Sequence, residues 1–120
     1  MVLGYGQDDR ICSFTSLEAL LEAETMDRTS VCILVDKEEI GSVGATGMDS
    51  LFFENATAEI LAKMGLTSSL SLRRTLKNTM MLSSDVNSAY DPLNASLYDK
   101  KNSSFLGGGV VFNKYTGSRG

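Results

Sequence analysis

The sequence predicts an α/β fold, because segments with helical spacing alternate along the chain with short apolar runs that are typical of buried strands. The clearest run covers residues 31–35 (Val-Cys-Ile-Leu-Val) and is rich in β-branched side chains, as are central strands covered on both faces. Similar runs predict strands over residues 79–83 and 109–113. Three helices are predicted before and between these strands.

The first helix is predicted over residues 9–25. Asp8 or Asp9 can accept hydrogen bonds from the free N–H groups at its start. Glutamates on the opposite side mark the solvent face, and the width of the apolar side indicates a helix that lies against a sheet. The apolar face is formed by Cys12, Ser16, Ala19, Leu20 and Ala23.

The second and third helices follow the first predicted strand. Apolar residues keep helical spacing over residues 53–64, with Asp49 or Ser50 available as a cap and Gly65 able to end the helix. The third helix is predicted over residues 67–78, capped by a threonine or serine at its start.

Charge and composition argue against several partners. The 120 residues include 11 Lys and Arg against 15 Asp and Glu, so the net charge is −4 and no basic footprint for nucleic acid is present. No apolar run reaches the roughly 20 residues that a membrane helix needs. Cys12 and Cys32 lie in apolar surroundings without Cys-x-x-Cys spacing, which predicts buried, reduced thiols and a cytoplasmic location.

Acidic residues fall where the predicted elements begin or end. Asp8 precedes a helix, Glu38 and Glu39 follow one strand, and Asp85 follows another. Ligands of open α/β sheets bind at the carboxyl ends of the strands, so these side chains can converge. Converging carboxylates repel one another unless they are protonated or hold cations, and a pair of divalent metal ions satisfies them.

Two other interpretations stay open at this point. Each acidic residue can simply be a helix cap or a turn residue, in which case the chain is a non-catalytic α/β module without a metal site. The glycines at 41, 44 and 47 lie between a strand and a helix, as in phosphate-binding loops, but their spacing fits neither the dinucleotide fingerprint nor the Walker loop. We therefore interpret them as flexible backbone that packs closely beside the acidic residues.

Three motifs resemble the aspartyl-aminopeptidase family of dinuclear zinc metallopeptidases, most closely its bacterial members. Residues 6–10 (Gly-Gln-Asp-Asp-Arg) look like the family's Asp-Asp-Arg segment. Residues 36–42 (Asp-Lys-Glu-Glu-Ile-Gly-Ser) are similar to its Asp-Asn-Glu-Glu-Val-Gly-Ser segment, and residues 83–86 (Ser-Ser-Asp-Val) to its Ser-Ala-Asp-Met segment. The motifs occur in the family's order, and the resemblance spans nearly the whole chain.

The resemblance implies a role for each matching residue. Asp8 would bridge two zinc ions and be joined to Asp9 by a cis peptide. Glu39 and Asp85 would each bind one of the ions, and Glu38 would be the general base that takes a proton from water. The implied reaction is hydrolysis of a peptide's first bond, which releases an N-terminal and often acidic amino acid.

The sequence departs from the family pattern at several ligand and substrate positions. The family uses histidine ligands upstream of the Asp-Asp segment and near its C-terminus, whereas this chain contains no histidine. All-oxygen sites suit Mg²⁺, Mn²⁺ or Ca²⁺ better than Zn²⁺. Ser88 stands where many members have histidine. Asn113 replaces a substrate-contacting lysine, and Lys114 would face the other side of the strand.

The resemblance therefore implies that residues 1–120 are a fragment of a catalytic domain. Such a fragment would form part of a three-layer α/β/α sandwich of the zinc-peptidase type, with an incomplete sheet. The family's inserted domain, which builds its large homo-oligomers, is absent from these residues. We expect a segment of a peptide-hydrolysing enzyme that is inactive as an isolated chain, with no nucleic-acid or membrane partner.

Overall fold

A computed structural model describes residues 2–113 of the chain, and helices account for its regular structure. The three predicted helices are confirmed, with ends that differ by a few residues from the predicted ones. Two 3-10 helices occur in the connections between the elements. In chain order the elements are α1 (Gln7–Leu21), a 3-10 turn at Glu38–Ile40, α2 (Phe52–Lys63), α3 (Ser69–Lys77) and a 3-10 helix at Pro92–Leu97.

The chain divides into two compact units. The first unit combines the N-terminal residues up to Cys12 with the residues from Asp85 onward, and the second is Ser13–Ser84. Helix α1 begins in the first unit and continues into the second. The first unit contains the Asp-Asp and Ser-Ser-Asp motifs, and the second contains the Glu-Glu motif.

Helix α1 confirms the predicted element but is shorter at its C-terminal end. Cys12, Ser16 and Leu20 are half-buried and recur every four residues, as expected for one helical face. The helix ends at Leu21, so the predicted last turn to Thr25 is not helical, and Ala23 lies outside it. The predicted apolar face is therefore confirmed for Cys12, Ser16 and Leu20, whereas Ala19 is exposed and Ala23 lies outside the helix.

Helix α2 provides the best-buried apolar side chain of the described residues. Leu61 is only 7% exposed. The Ser50 hydroxyl accepts a hydrogen bond of 3.2 Å from the Phe52 amide at the start of the helix. Gly65, at φ 81°, lets the Leu66 amide donate back to the Leu61 carbonyl over 2.9 Å, which satisfies a carbonyl of the last turn. The predicted end signal at Gly65 is confirmed, whereas the capping position is Leu51, one residue after Ser50, and has no side-chain cap.

Helix α3 packs against α2 and is capped at both ends. The Ser68 hydroxyl accepts a hydrogen bond of 3.2 Å from the Leu70 amide, as predicted for a serine at the start. At the other end the Arg28 guanidinium donates to the Asn78 carbonyl over 3.4 Å, where a positive charge complements the helix dipole. The two helices contact each other.

The three predicted strands are not confirmed in the residues that the structure describes. Segments 31–35, 79–83 and 109–113 form no strand there, and the backbone bridge recorded in residues 2–113 joins Ala89 and Ser104 in parallel. Parallel strands gain their hydrogen bonds only from partner strands that arrive through long connections. Without such partners the apolar runs remain accessible, with Leu82 92% and Phe112 90% exposed. The layered sandwich is accordingly not confirmed.

The first predicted strand lies next to α2 and leaves an open apolar groove. Residues 31–34 and the side of α2 around Phe53, Ala56 and Ile60 line this groove. Cys12 and Cys32 are free thiols and half-buried, which is less burial than we predicted. Among residues 2–113, no helix combines the length and the apolar sequence that crossing a membrane requires.

Candidate metal centre

Three carboxylates of the first unit converge. Asp8, Asp9 and Asp85 each offer an oxygen, and these oxygens all lie within 4.8 Å of one another. Asp8 and Asp85 come from distant parts of the sequence and are both exposed to solvent. Three negative charges at this separation repel one another in the absence of a cation, and divalent ions take carboxylate oxygens as ligands. The arrangement can therefore hold a divalent metal ion.

The backbone at Asp8 and Asp9 differs from that of the helix that follows. Their peptide bond is cis, as the resemblance implied, and both residues have non-helical dihedral angles. The Arg10 amide donates to the Gly6 carbonyl over 3.3 Å, and the Arg10 guanidinium donates to the Tyr5 carbonyl over 3.3 Å. The Arg10 side chain thus ties the residues before the acidic pair to the first turn of α1.

Ser104 holds the segment that follows Asp85. The Ser104 hydroxyl donates to the Ser88 carbonyl over 2.8 Å and accepts from the Asn87 side chain over 2.8 Å. The Ser104 carbonyl accepts from the Tyr90 amide over 2.7 Å. Asp85 itself accepts a hydrogen bond of 2.7 Å from the Val86 amide. The Asp85 carboxylate is therefore carried on a segment that is cross-linked to a distant part of the same unit.

An aromatic cluster stabilises the same loop. The Tyr90 ring contacts the rings of Tyr98 and Phe105, with centroid separations of 5.6 and 5.4 Å. The Lys100 ammonium lies 5.7 Å from the Tyr90 ring centroid, a cation–π distance. The 3-10 helix Pro92–Leu97 lies between Tyr90 and Tyr98 in the sequence and is capped by Asp91, whose carboxylate accepts from the Leu93 amide over 2.9 Å. Together these contacts link the parts of the connection after Asp85 to one another.

The Glu-Glu motif lies on a single 3-10 turn of the second unit. Glu38 and Glu39 are exposed, and Lys37 before them and Gly41 after them have positive φ values of 70° and 89°. The Lys37 carbonyl accepts hydrogen bonds from the Ile40 amide over 3.3 Å and from the Ser42 amide over 2.7 Å. The turn therefore has a defined backbone that presents both glutamates to solvent.

Asp36 anchors the start of this turn. Its carboxylate accepts hydrogen bonds from the Lys37 ammonium over 2.5 Å, from the Lys37 amide over 2.9 Å and from the Thr46 hydroxyl over 3.0 Å. The Lys37 side chain, followed by the Thr46 hydroxyl, holds the pKa of the Asp36 carboxyl below its usual value, because both donors favour the charged form. Asp36 is thus kept ionised as an acceptor beside the Glu-Glu motif.

The predicted site residues are distributed over both units. The first unit brings Asp8 and Asp85 together and adds Asp9, which was predicted as the partner of Asp8 in a cis peptide and not as a metal ligand. Glu38 and Glu39 belong to the second unit, so their predicted roles as base and ligand stay predictions. The adjacency of Asp9 to Asp8 was the signal that could have included it.

Ser88 and Asn113 are two of the positions at which the chain departs from the family pattern. Ser88, which replaces a family histidine, accepts the Ser104 hydrogen bond through its carbonyl. Asn113 is exposed at the end of the described range, and Lys114 lies outside the described residues. The predicted direction of the Lys114 side chain therefore stays a prediction.

The whole chain, residues 1–120, matches the sequence profile of the family described as aminopeptidase I zinc metalloprotease (M18). The chain belongs to this family. The predicted resemblance is thereby confirmed, and the family's description supports zinc as its metal. A comparison with solved structures finds no significant match.

Relatives of this zinc metalloprotease family cover the chain almost completely. A probable M18 family aminopeptidase 1 of Clostridium acetobutylicum is 58% identical over 120 residues, which are 100% of this chain and 26% of the relative. A protein of the same description from Thermotoga maritima is 44% identical over 121 residues, 100% of this chain and 27% of the relative. Aspartyl aminopeptidase 1 of Schizosaccharomyces pombe is 35% identical over 104 residues, 83% of this chain and 21% of that protein. The chain spans about a quarter of the length of the curated relatives it matches.

The chemistry of the donor set fits a zinc metalloprotease in part. Zinc accepts carboxylate oxygens at about 2.0–2.2 Å, and the Asp8, Asp9 and Asp85 oxygens are close enough to share one ion. Zinc sites usually also contain histidine or cysteine, and the chain has no histidine. The residues present can therefore supply the carboxylate ligands of a divalent metal site but not its histidine ligands.

Proposed function

We propose that this chain supplies the carboxylate ligands and the general base of a zinc aminopeptidase, which releases N-terminal, often acidic, amino acids from peptides by means of two metal ions. The convergence of the Asp8 and Asp85 carboxylates carries the proposal. The family membership supports it.

Asp8, Asp85 and Glu39 are the proposed metal ligands. Asp8 shares the cluster with Asp85. As the resemblance implies, Asp8 would bind both ions, with Asp85 on one ion and Glu39 on the other. Asp9 contributes negative charge next to these ligands, which strengthens the attraction for a dication. When bound, the two ions polarise the scissile carbonyl and lower the pKa of the attacking water.

Glu38 is the proposed general base. Its turn is fixed by the Lys37 carbonyl, while the Glu38 side chain stays exposed and can accept a proton from the attacking water. The same carboxyl group then protonates the leaving amine, so one residue serves both proton transfers. Glu39 is next to it on a tight turn, where neighbouring side chains point in different directions, so ligand and base are separate residues.

The isolated chain is proposed to lack activity, because it provides oxygen ligands but no histidine. The nitrogen ligands would come from other parts of a longer enzyme, as would strands that pair with segments 31–35, 79–83 and 109–113. The exposure of Met80, Leu82 and Phe112 supports this completion of an α/β/α sandwich, since long apolar runs are rarely left accessible. We further propose a cytoplasmic enzyme that forms large homo-oligomers; the free thiols Cys12 and Cys32 support the first of these.

A segment exchange tests this function. Residues 1–120 replace the matching segment of the Clostridium acetobutylicum relative, with which they are 58% identical. The chimera should hydrolyse an aspartyl or glutamyl anilide, whereas the isolated 120-residue chain should not. Glu38→Gln in the chimera should lower kcat by about 10²- to 10⁴-fold, the usual range for losing a general base.

The matched control is Glu54→Gln, which changes an exposed glutamate in the first turn of α2. It should leave kcat and KM unchanged. A Glu38→Gln chimera with full activity would remove Glu38 from the mechanism. An inactive chimera that folds and binds zinc normally would show that this segment no longer supports the reaction.

A further inference from the structure

We propose that Asp36 and Thr46 are positioning residues that hold the Glu38–Glu39 turn in its working conformation before any metal or substrate binds. The inference rests on the proposed roles of Glu38 and Glu39. It goes further by assigning a role to the hydrogen bond between Thr46 and Asp36, which closes the glycine-rich loop that follows the two glutamates. Neither Asp36 nor Thr46 is proposed to touch the metal ions or the substrate.

The Asp36–Thr46 hydrogen bond is the contact that closes the loop. The Thr46 hydroxyl donates to the Asp36 carboxylate over 3.0 Å and joins residues on either side of the Glu-Glu turn. The other donors to Asp36 belong to Lys37, its immediate neighbour, so they cannot fix the far side of the loop. Thr46 therefore supplies the only side-chain donor recorded for Asp36 from across the loop in residues 2–113.

The far side of the loop is itself anchored. Gly47, next to Thr46, is buried, and a β-carbon at this position would lie 2.0 Å from the Ser42 carbonyl oxygen. The Gly47 carbonyl accepts a hydrogen bond of 2.7 Å from the Ser50 hydroxyl, and that hydroxyl accepts from the Phe52 amide at the start of α2. Thr46 is thus attached to the N-terminus of the best-packed helix of the chain.

The near side of the loop leads directly to the glutamates. Asp36 is followed by Lys37, whose carbonyl accepts from the Ile40 and Ser42 amides, and the Glu38 carbonyl accepts from the Gly41 amide over 2.9 Å. A continuous set of bonds therefore runs from α2 through Thr46 and Asp36 to the Glu-Glu turn. An exposed turn without such an anchor samples many conformations, which lowers the fraction with Glu38 and Glu39 correctly placed.

The exposed ion pair between Lys37 and Asp36 is a poorer anchor. Both side chains are about half exposed, 45% and 57%, and surface pairs of this kind contribute little because solvent screens them. The Thr46–Asp36 hydrogen bond is exposed as well, but its hydroxyl donor carries no net charge, so salt screens it less. Thr46 also reaches Asp36 from across the loop, whereas Lys37 is its neighbour in the sequence. The positioning role therefore belongs to the Thr46 hydroxyl, with Asp36 as its acceptor.

Amide hydrogen exchange and carboxyl ¹³C spectra of the full 120-residue chain test this role, with Thr46→Val and Thr46→Ser as a matched pair. Thr46→Val keeps the β-branched shape and removes the donor, whereas Thr46→Ser keeps the donor. In Thr46→Val the Ser42 and Gly41 amides should exchange about fivefold faster, the effect of losing one hydrogen bond. The Glu38 and Glu39 carboxyl shifts should move toward random-coil values. Thr46→Ser should restore both, and the α2 amides should be unchanged in both variants.

Each contrary result overturns the inference. Unchanged Ser42 exchange in Thr46→Val would show that the bond does not hold the turn. Equal effects of the valine and serine variants, or faster exchange in α2 as well, would show a general loss of packing. An unprotected Ser42 amide in the unsubstituted chain would show that the turn is not formed in advance. Loss of metal binding in Asp8→Ala tests the proposed function separately, since Asp8 belongs to the other unit.

Discussion

The carboxylates of Asp8 and Asp85 bring oxygens within 4.8 Å of each other, although the two residues lie far apart in the sequence. Two exposed negative charges gain nothing from this approach unless a cation lies between them. Each residue is held by its own local contacts, Asp8 by the turn that Arg10 ties to Tyr5 and Asp85 by the segment that Ser104 pins. The surrounding residues therefore hold the two carboxylates close together, and their role in metal binding can be tested directly.

Gly47→Ala should destabilise the second unit. The added β-carbon would meet the Ser42 carbonyl oxygen at 2.0 Å, and a backbone atom cannot move aside as a flexible side chain can. The expected loss is at least about 2 kcal/mol in the free energy of unfolding, measured by urea denaturation followed by circular dichroism. Gly44→Ala is the comparison: its β-carbon meets nothing within 4 Å, so only its φ of +97° opposes the change and about 1 kcal/mol is expected. Equal losses would contradict the close contact.

The pH dependence of the loop should follow Asp36. Its folded pKa is lowered, so ionised Asp36 stabilises the loop above the ordinary value of about 3.9, and this stabilisation is lost as pH falls through the lower folded pKa. A carboxyl ¹³C titration should show that low pKa in the unsubstituted chain. Thr46→Val should raise it toward the ordinary value, and Thr46→Ser should not.

Asp91 provides an internal control for that titration. Its pKa is also lowered, by hydrogen bonds from the Asn94 side chain and the Leu93 amide. Thr46→Val should leave this pKa unchanged, because Asp91 lies in the first unit. A change at both aspartates would indicate unfolding instead of a lost Thr46 donor.

Leu61→Ala should cost far more stability than Ile60→Ala. Leu61 is 7% exposed and loses its packing on truncation, with an expected loss of about 2–3 kcal/mol. Ile60, one position away on the same helix, is 53% exposed and should lose less than about 1 kcal/mol. Urea unfolding midpoints measure both. Similar losses would show that α2 does not bury the face that the structure assigns to it.

The helices could be predicted because their signals are local. The spacing around Leu61, the Ser68 cap and the Gly65 terminator each act within a few residues, and all were found where the sequence placed them. The strands could not be predicted in the same way. Residues 79–83 have the composition of a strand, but a strand forms only when partners supply its hydrogen bonds, and residues 2–113 provide none.

The candidate site, like the fold, could be predicted only in part. Family motifs implied that Asp8 and Asp85 belong to one site and that a cis peptide follows Asp8. The structure brings the two carboxylates close together, and their roles as metal ligands stay predictions. The motifs did not indicate that the Asp9 carboxylate joins this cluster, because the direction of its side chain depends on the local backbone. They also gave no role to Thr46, whose hydrogen bond to Asp36 depends on how the glycine-rich loop closes. Side-chain contacts across a loop are not encoded in a short motif.

Calorimetric titration of the 120-residue chain with Zn²⁺ and with Mn²⁺ tests the central claim most directly. The chain should bind at least one of these ions saturably, and Asp8→Ala should abolish that binding. Asp27→Ala, which removes an exposed carboxylate outside the cluster, should bind like the unsubstituted chain. Absence of saturable binding, or binding that survives in Asp8→Ala, would contradict a metal centre built on Asp8 and Asp85.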